Sequence, residues 1–145
     1  MSLTRTACLL ALFPIAAVAH QGADGVVKER MELMKEVGQA TRRLGEMAKS
    51  GEIRPEDASE AADRLHAAAE TIPVVFNDRN LEAPSEALSD IWEDWSDFTE
   101  MAAQMADATA KFRDPPDDAA AFRSAVAELG ESCASCHERF RLAQE

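Results

Sequence analysis

Apolar residues recur at alternating steps of three and four along most of the chain, and helix-breaking residues divide this pattern into segments. Such a period places the apolar side chains on one face of an α-helix. The segments cover residues 25–50, 55–72, 85–112 and 117–140. The breakers are Gly51, Pro73 and the pair Pro115-Pro116. Helices of this length with short joints predict an all-α protein, an antiparallel four-helix bundle, in which residues 73–84 cross one end of the core.

The composition supports one folded helical domain. The 145 residues are 46% hydrophobic, include no Tyr and are rich in Ala, Leu, Met and Glu, which are good helix formers. This length suffices for one core and is too short for two ordinary domains. The 27 acidic residues outnumber the 15 basic ones and give a net charge of −12. Electrostatic repulsion therefore disfavours binding to nucleic acids and to anionic membranes.

The first 19 residues have the pattern of a secretory signal peptide. Arg5 precedes an apolar stretch, and the small residues Ala17 and Ala19 predict cleavage after Ala19. The alternatives are a membrane anchor and a buried helix, but the apolar stretch is interrupted by Pro14 and is shorter than the roughly 20 residues that span a bilayer. We therefore expect an exported, periplasmic domain at residues 20–145, which loses Arg5 and has one more net negative charge.

One short motif carries the chemistry: Cys133-Ala134-Ser135-Cys136-His137. Two thiols at this spacing can each form a thioether with a vinyl group of one haem, and the adjacent imidazole can bind the iron. A thioredoxin-type dithiol is expected beside a βαβ pattern, a zinc site needs a further Cys or His pair, and a disulfide leaves His137 unexplained. The motif therefore predicts one covalently attached haem c, held by Cys133 and Cys136, with His137 as an iron ligand.

The chain resembles the cytochrome c′ family in this motif and in its position near the C-terminus. The sequence His137-Glu138-Arg139-Phe140-Arg141 follows the family pattern of His, two variable residues, Tyr or Phe, and Arg. The stretches RMELMKEVG and IWEDWSDF resemble the low-spin, methionine-ligated branch of that family. The resemblance covers essentially the whole mature chain, and it implies a four-helix bundle with the haem in its core, attached to the last helix.

The resemblance also implies roles for three further residues. Met34 is implied as the second iron ligand; the alternative is a methionine that only fills the core. Arg30, four residues earlier, is implied as a partner of a haem propionate, and the alternative is a surface arginine paired with acidic neighbours. Arg141 is implied to flank His137, which is compatible with stabilising the helix C-terminus. Trp92 and Trp95 are expected to pack in the core.

We therefore expect a one-electron carrier with a low-spin haem bound by His137 and Met34. The sequence contains no phosphate-binding loop and no nucleophile motif, so it gives no indication of an enzyme. One alternative is a five-coordinate protein of the same family that binds nitric oxide or carbon monoxide, and another is a helical interaction protein without haem. The expected partner is a redox protein, which would meet the acidic surface or a local basic patch formed by Arg30, Lys35, Arg139 and Arg141. A homodimer through the first two helices and a monomer both remain compatible with the sequence.

Overall fold

The computed structural model describes residues 23–143, so the predicted signal peptide at residues 1–19 and its cleavage site lie outside the described residues. The helices are α1 (Gly25–Ser50), α2 (Pro55–Val75), α3 (Asp90–Glu93), α4 (Trp95–Thr109) and α5 (Ala119–Phe140), and a 3-10 turn at Ala110–Phe112 extends α4. The four long helices, α1, α2, α4 and α5, form the bundle. The prediction of an all-α four-helix bundle is confirmed.

Three helix ends follow from local sequence. Gly51 ends α1 with φ 77°, a left-handed conformation that favours glycine, and its N–H donates to the carbonyl of Met47 at 2.9 Å. Pro55 is the first residue of α2, a position whose N–H makes no hydrogen bond within the helix, so a proline costs nothing there. The carboxylate of Asp118 accepts a hydrogen bond from Ala121 N at 2.8 Å and so caps the start of α5.

The predicted end of α2 at Pro73 is wrong, because the helix continues to Val75. Pro73 lies in the last turn of α2. A proline there removes one hydrogen bond, but the kink it causes affects few residues because the helix ends soon after it. The N–H of Phe76 still donates to the carbonyl of Ile72 at 3.1 Å.

The predicted third helix is divided and begins later than Ser85. Helix α3 starts at Asp90, and Asp94, with φ −114° and ψ 43°, separates it from α4. Residues 86–88 are extended because they pair with the chain that leaves α5. The N–H of Leu88 donates to Phe140 O at 3.0 Å, and the N–H of Leu142 donates to Glu86 O at 2.8 Å. Long-range pairing of the main chain therefore replaces the first helical turns.

Helix α2 is the central helix of the core. Its buried residues are mostly small: Ala58, Ala61, Ala62, Leu65, Ala68, Ala69 and Ile72. Alanines allow the axes of neighbouring helices to approach closely, and α1 and α4 both pack more extensively on α2 than on α5. The large, fully buried side chains of the other helices complete the core: Leu44, Met47, Ile91, Phe112, Phe122 and Leu129. None of the described helices is long and apolar enough to cross a lipid bilayer.

Candidate functional site

The two cysteines of the motif lie on α5, half-buried, as free thiols. Cys136 packs against the core of the bundle. Burial raises the pKa of the Cys133 thiol above its usual value, opposed by a backbone hydrogen bond. Burial also raises the pKa of Cys136, and the neighbouring Cys133 adds to that effect. Both groups are therefore neutral thiols at neutral pH, which suits addition to an apolar vinyl group inside the bundle.

The imidazole of His137 is held neutral by its surroundings. His137 is more exposed than the two cysteines, yet partial desolvation of its ring lowers its pKa, and the charge of Arg141 lowers it further. Glu86 acts in the opposite direction. Because a metal ligand needs a free lone pair, a neutral imidazole at this position is suited to bind iron.

Two arginines fix the C-terminal turn of α5 that carries His137. The guanidinium of Arg139 donates to Asp94 at 2.8 Å and to Asp97 at 2.7 Å, which ties α5 to the beginning of α4. Arg141 donates to Glu86 at 2.8 Å, beside the main-chain pairing of residues 86–88. The charge of Arg141 acts on His137, and its role on the flank of the imidazole stays a prediction.

Met34 lies on α1, half-buried, and packs against the same core cluster as Cys136. Its flank of α1 continues at helical spacing through Gly38, Thr41 and Gly45. A side chain added at either glycine would meet no atom within 4 Å. The hydroxyl of Thr41 is buried and has no hydrogen-bond partner, although it is the kind of group that proteins normally satisfy. This flank therefore carries little side-chain volume and one unsatisfied polar atom.

A similar feature is found on α5. Gly130 precedes Cys133 by three residues, and an added side chain there would also meet no atom within 4 Å. Helices α1 and α5 are in contact but pack less extensively than α1 and α2. Two thiols, a neutral imidazole and a thioether, carried by two neighbouring helices that pack less extensively than α1 and α2, fit a flat, covalently attached haem. Within residues 23–143, no three His, Cys, Asp or Glu side chains are grouped as ligands of a bare metal ion.

Arg30 is buried, with 4% of its surface exposed, so the alternative of a surface arginine paired with acidic neighbours is wrong. Its guanidinium donates through Nε to Val75 O at 3.0 Å, through Nη1 to Asn80 O at 2.7 Å, and through Nη2 to Asp78 O. Burial lowers the pKa of Arg30, while Asp78 opposes that change. A role of Arg30 toward a haem propionate stays a prediction, since three of its five N–H groups are already used.

The rings of Phe76 and Trp92 enclose this guanidinium. Its carbon lies 4.7 Å from the ring centre of Phe76 and 5.6 Å from that of Trp92. The indole N–H of Trp92 donates to Phe76 O at 2.7 Å. Trp95 stacks on Phe98 at 5.6 Å, so both tryptophans pack against the core, as predicted.

Sequence reasoning missed the contacts of Arg30 with residues 75–80. A signal was present, because Arg30 follows Val26 and precedes Leu33 and Val37 at helical spacing, on the apolar stripe of α1. A cation on such a stripe is buried only when other groups satisfy its N–H donors.

The expected basic patch is not formed. Arg30 is buried, and Arg139 and Arg141 are paired with carboxylates. Of the four residues, Lys35 alone is both exposed and without an ion pair among the described residues. The acidic character of the molecule is therefore not reversed by these four residues.

The chain is similar to known cytochromes in sequence. Residues 25–141 match the model of the family described as Cytochrome C'. The chain is 34% identical to cytochrome c-556 of Agrobacterium tumefaciens over 128 residues, which cover 85% of this chain and 100% of that protein. It is 36% identical to cytochrome c-554 of Cereibacter sphaeroides over 97% of this chain and 95% of that protein.

Solved structures show the same fold. Cytochrome c′ from Rhodopseudomonas palustris superposes with a TM-score of 0.76 at 23% identity, over 85% of this chain and 100% of that chain. An NMR-validated structural model of oxidized cytochrome c556 from R. palustris gives a TM-score of 0.72 at 24% identity, over 83% of this chain and 98% of that chain.

Proposed function

The chain belongs to the cytochrome c′ family, and we propose that it carries single electrons on one haem c whose iron is bound by His137 and Met34. It is an electron-transfer protein with covalently attached haem and not an enzyme. The observation that carries the proposal is the donor set: two neutral thiols and a neutral imidazole on α5, with a thioether on the adjacent α1.

Each residue has a separate task in this proposal. Cys133 and Cys136 would attach the haem through thioether bonds, and His137 would offer its neutral nitrogen as an iron ligand. Met34 would offer a soft, neutral sulfur as the second ligand, which favours the reduced state and raises the potential. The bound haem supplies the one-electron couple, while the protein orients it and limits its contact with water.

Whether the iron has a second protein ligand decides between an electron carrier and a gas-binding protein. Proteins named cytochrome c-556 and c-554 support an electron carrier, and a protein named cytochrome c′ from R. palustris is 27% identical to this chain. When Met34 binds the iron, no coordination position is left for a gas. We therefore place the chain with the carriers and treat gas binding as the alternative.

Haem attachment is tested by removing the thiols. We expect the double variant Cys133→Ser/Cys136→Ser to carry no covalently attached haem. Its band in a denaturing gel should therefore show no stain for haem peroxidase activity. Each single variant keeps one thioether and a weaker stain, and Ser135→Ala, between the two cysteines, stains like the wild type. A stain that persists in the double variant would exclude covalent attachment at this motif.

Ligation by Met34 is tested with Met34→Leu, which keeps nearly the same side-chain volume. We expect the variant to lose the ferric Met-to-iron charge-transfer absorption, to have a lower reduction potential, and to bind carbon monoxide in the ferrous state. Met31→Leu, three residues earlier on α1, is the matched control and should resemble the wild type. Free binding of carbon monoxide by the wild-type ferrous protein would contradict the carrier and favour the gas-binding alternative.

We also propose that the mature chain begins at His20 in the periplasm, on the basis of the signal-like residues 1–19. Expression of the full sequence in a bacterium should release a haem-stained protein on osmotic shock, and its N-terminal residue should be His20. Retention of an uncleaved chain in the cytoplasmic fraction would contradict this.

The outer sides of α1 and α2 support a homodimer. They form a groove in which small or apolar residues lie beside charges of both signs: Leu33, Glu36, Ala40, Arg43, Arg64, Ala67 and Ala68. In a two-fold symmetric dimer the same patch meets itself, so it must be self-complementary, and a patch with both Glu and Arg meets that requirement. We propose that two copies pair through this groove. The excess of acidic residues favours a redox partner with a basic surface.

The dimer is tested by placing a charge in the groove. We expect light scattering to give twice the monomer mass for the wild type and the monomer mass for Ala67→Glu, since Ala67 is exposed in the groove. Ala127→Glu, at an exposed position of α5, is the control and should stay dimeric. A monomeric wild type at the concentrations used would exclude this interface.

A further inference from the structure

The contacts of Arg30 join a single stretch of chain to α1. Its three acceptors are the main-chain carbonyls of Val75, at the end of α2, and of Asp78 and Asn80, in the segment that follows it. A planar guanidinium can donate in several directions at once, which a single ammonium group cannot do with the same geometry. We call this guanidinium with its three acceptors and the enclosing rings of Phe76 and Trp92 the Arg30 clamp.

The clamp is the polar tie of the beginning of α1 to another part of the chain. Before Met34, the buried residues of α1 are Val27 and Arg30, whereas four of its buried residues follow Met34. Val27 lies outside the central core cluster. In the stretch 23–33, the side-chain hydrogen bonds to another element all come from Arg30, and the ion pair of Lys28 with Glu32 is internal to the helix. The clamp therefore supplies the polar contacts that hold these first turns, beside the apolar packing of Val27 and Leu33.

The clamp also connects α1 with the helix that carries His137. Phe76 contacts Phe98 at 5.4 Å between ring centres, and Phe98 contacts Phe140 at 5.3 Å. Phe140 lies three residues after His137 on α5. The chain of contacts from Arg30 through Phe76 and Phe98 to Phe140 thus joins the segments that carry the two proposed iron ligands.

Met34 follows Arg30 by one helical turn, so a shift of this turn moves its sulfur. A thioether is a neutral, weak ligand, and a displacement of about 1 Å is enough to disable a site whose supporting residues do not fix it. We infer that Arg30 is a positioning residue, which holds Met34 in place by clamping α1 to residues 75–80. The inference rests on the proposed function, because it needs Met34 to be a ligand.

The inference predicts a gain of carbon monoxide binding when the clamp is removed. The apparent affinity of the ferrous protein for carbon monoxide scales with the fraction of molecules in which Met34 is off the iron. We expect Arg30→Met to raise that affinity by about tenfold and to weaken the Met-to-iron absorption by a matching fraction, with a smaller change for Arg30→Lys. Arg42→Met, at an exposed position of the same helix, is the control and should leave both unchanged.

A milder variant keeps the test decisive if Arg30→Met does not fold. Trp92→Phe keeps an aromatic ring but removes the hydrogen bond of the indole to Phe76 O, and we expect it to change the absorption and the affinity in the same direction as Arg30→Lys. Folded Arg30 and Trp92 variants with the wild-type absorption and affinity would overturn the inference.

The other outcomes are distinguishable. If Arg30→Met changes only the pH dependence of the reduction potential, while ligation by Met34 stays intact, the positioning role of Arg30 is overturned. Arg30 is then a partner of a haem propionate. If the wild type itself lacks the Met-to-iron absorption and binds carbon monoxide freely, the proposed function fails, and the inference fails with it.

Discussion

The close packing of α1 and α4 on the alanine face of α2 determines where a cofactor can be accommodated. The small side chains of Ala61 and Ala68 let both neighbours approach α2. Helix α5, which carries the motif, closes the bundle and packs less extensively on α1 than α2 does. Because a densely packed interface leaves no room for a cofactor, the less extensive packing of α1 on α5 favours this position for a flat haem.

The electrostatics of the site follow from the same arrangement. Partial burial favours the neutral forms of the thiols and of the imidazole of α5, and the neutral imidazole is the form that binds iron. The nearby cations do not create a positive surface, because Arg139 binds Asp94 and Asp97 while Arg141 binds Glu86. They fix the end of α5 instead. The protein thus uses its arginines near the motif for structure and presents an acidic surface to partners.

The sequence predicted the features that depend on neighbouring residues along the chain. The spacing of Cys133, Cys136 and His137 is local, and so are the helical stripes and the end of α1 at Gly51. The start of α3 was mispredicted because Leu88 pairs with Phe140, which is remote in sequence. The apolar stripe of α1 indicates that Arg30 is buried, but its partners lie 45 to 50 residues away, and no local pattern identifies them. Whether Met34 binds iron depends on such long-range placement, and for that reason the motif alone does not decide it.

Burial of Arg30 is favourable only because main-chain carbonyls receive its N–H groups. A buried carbonyl left without a donor costs about 1–3 kcal/mol, so loss of the side chain would penalise the half-buried acceptors Val75 and Asn80 more than the exposed Asp78. No carboxylate is among its described hydrogen-bond partners, and a network of main-chain acceptors does not dissolve when one side chain titrates or when salt is added. An ion pair at an exposed position would be weaker and screened by salt. A clamp made of carbonyls and aromatic rings is therefore suited to hold one turn of helix in a fixed position while the charge on a neighbouring redox centre changes.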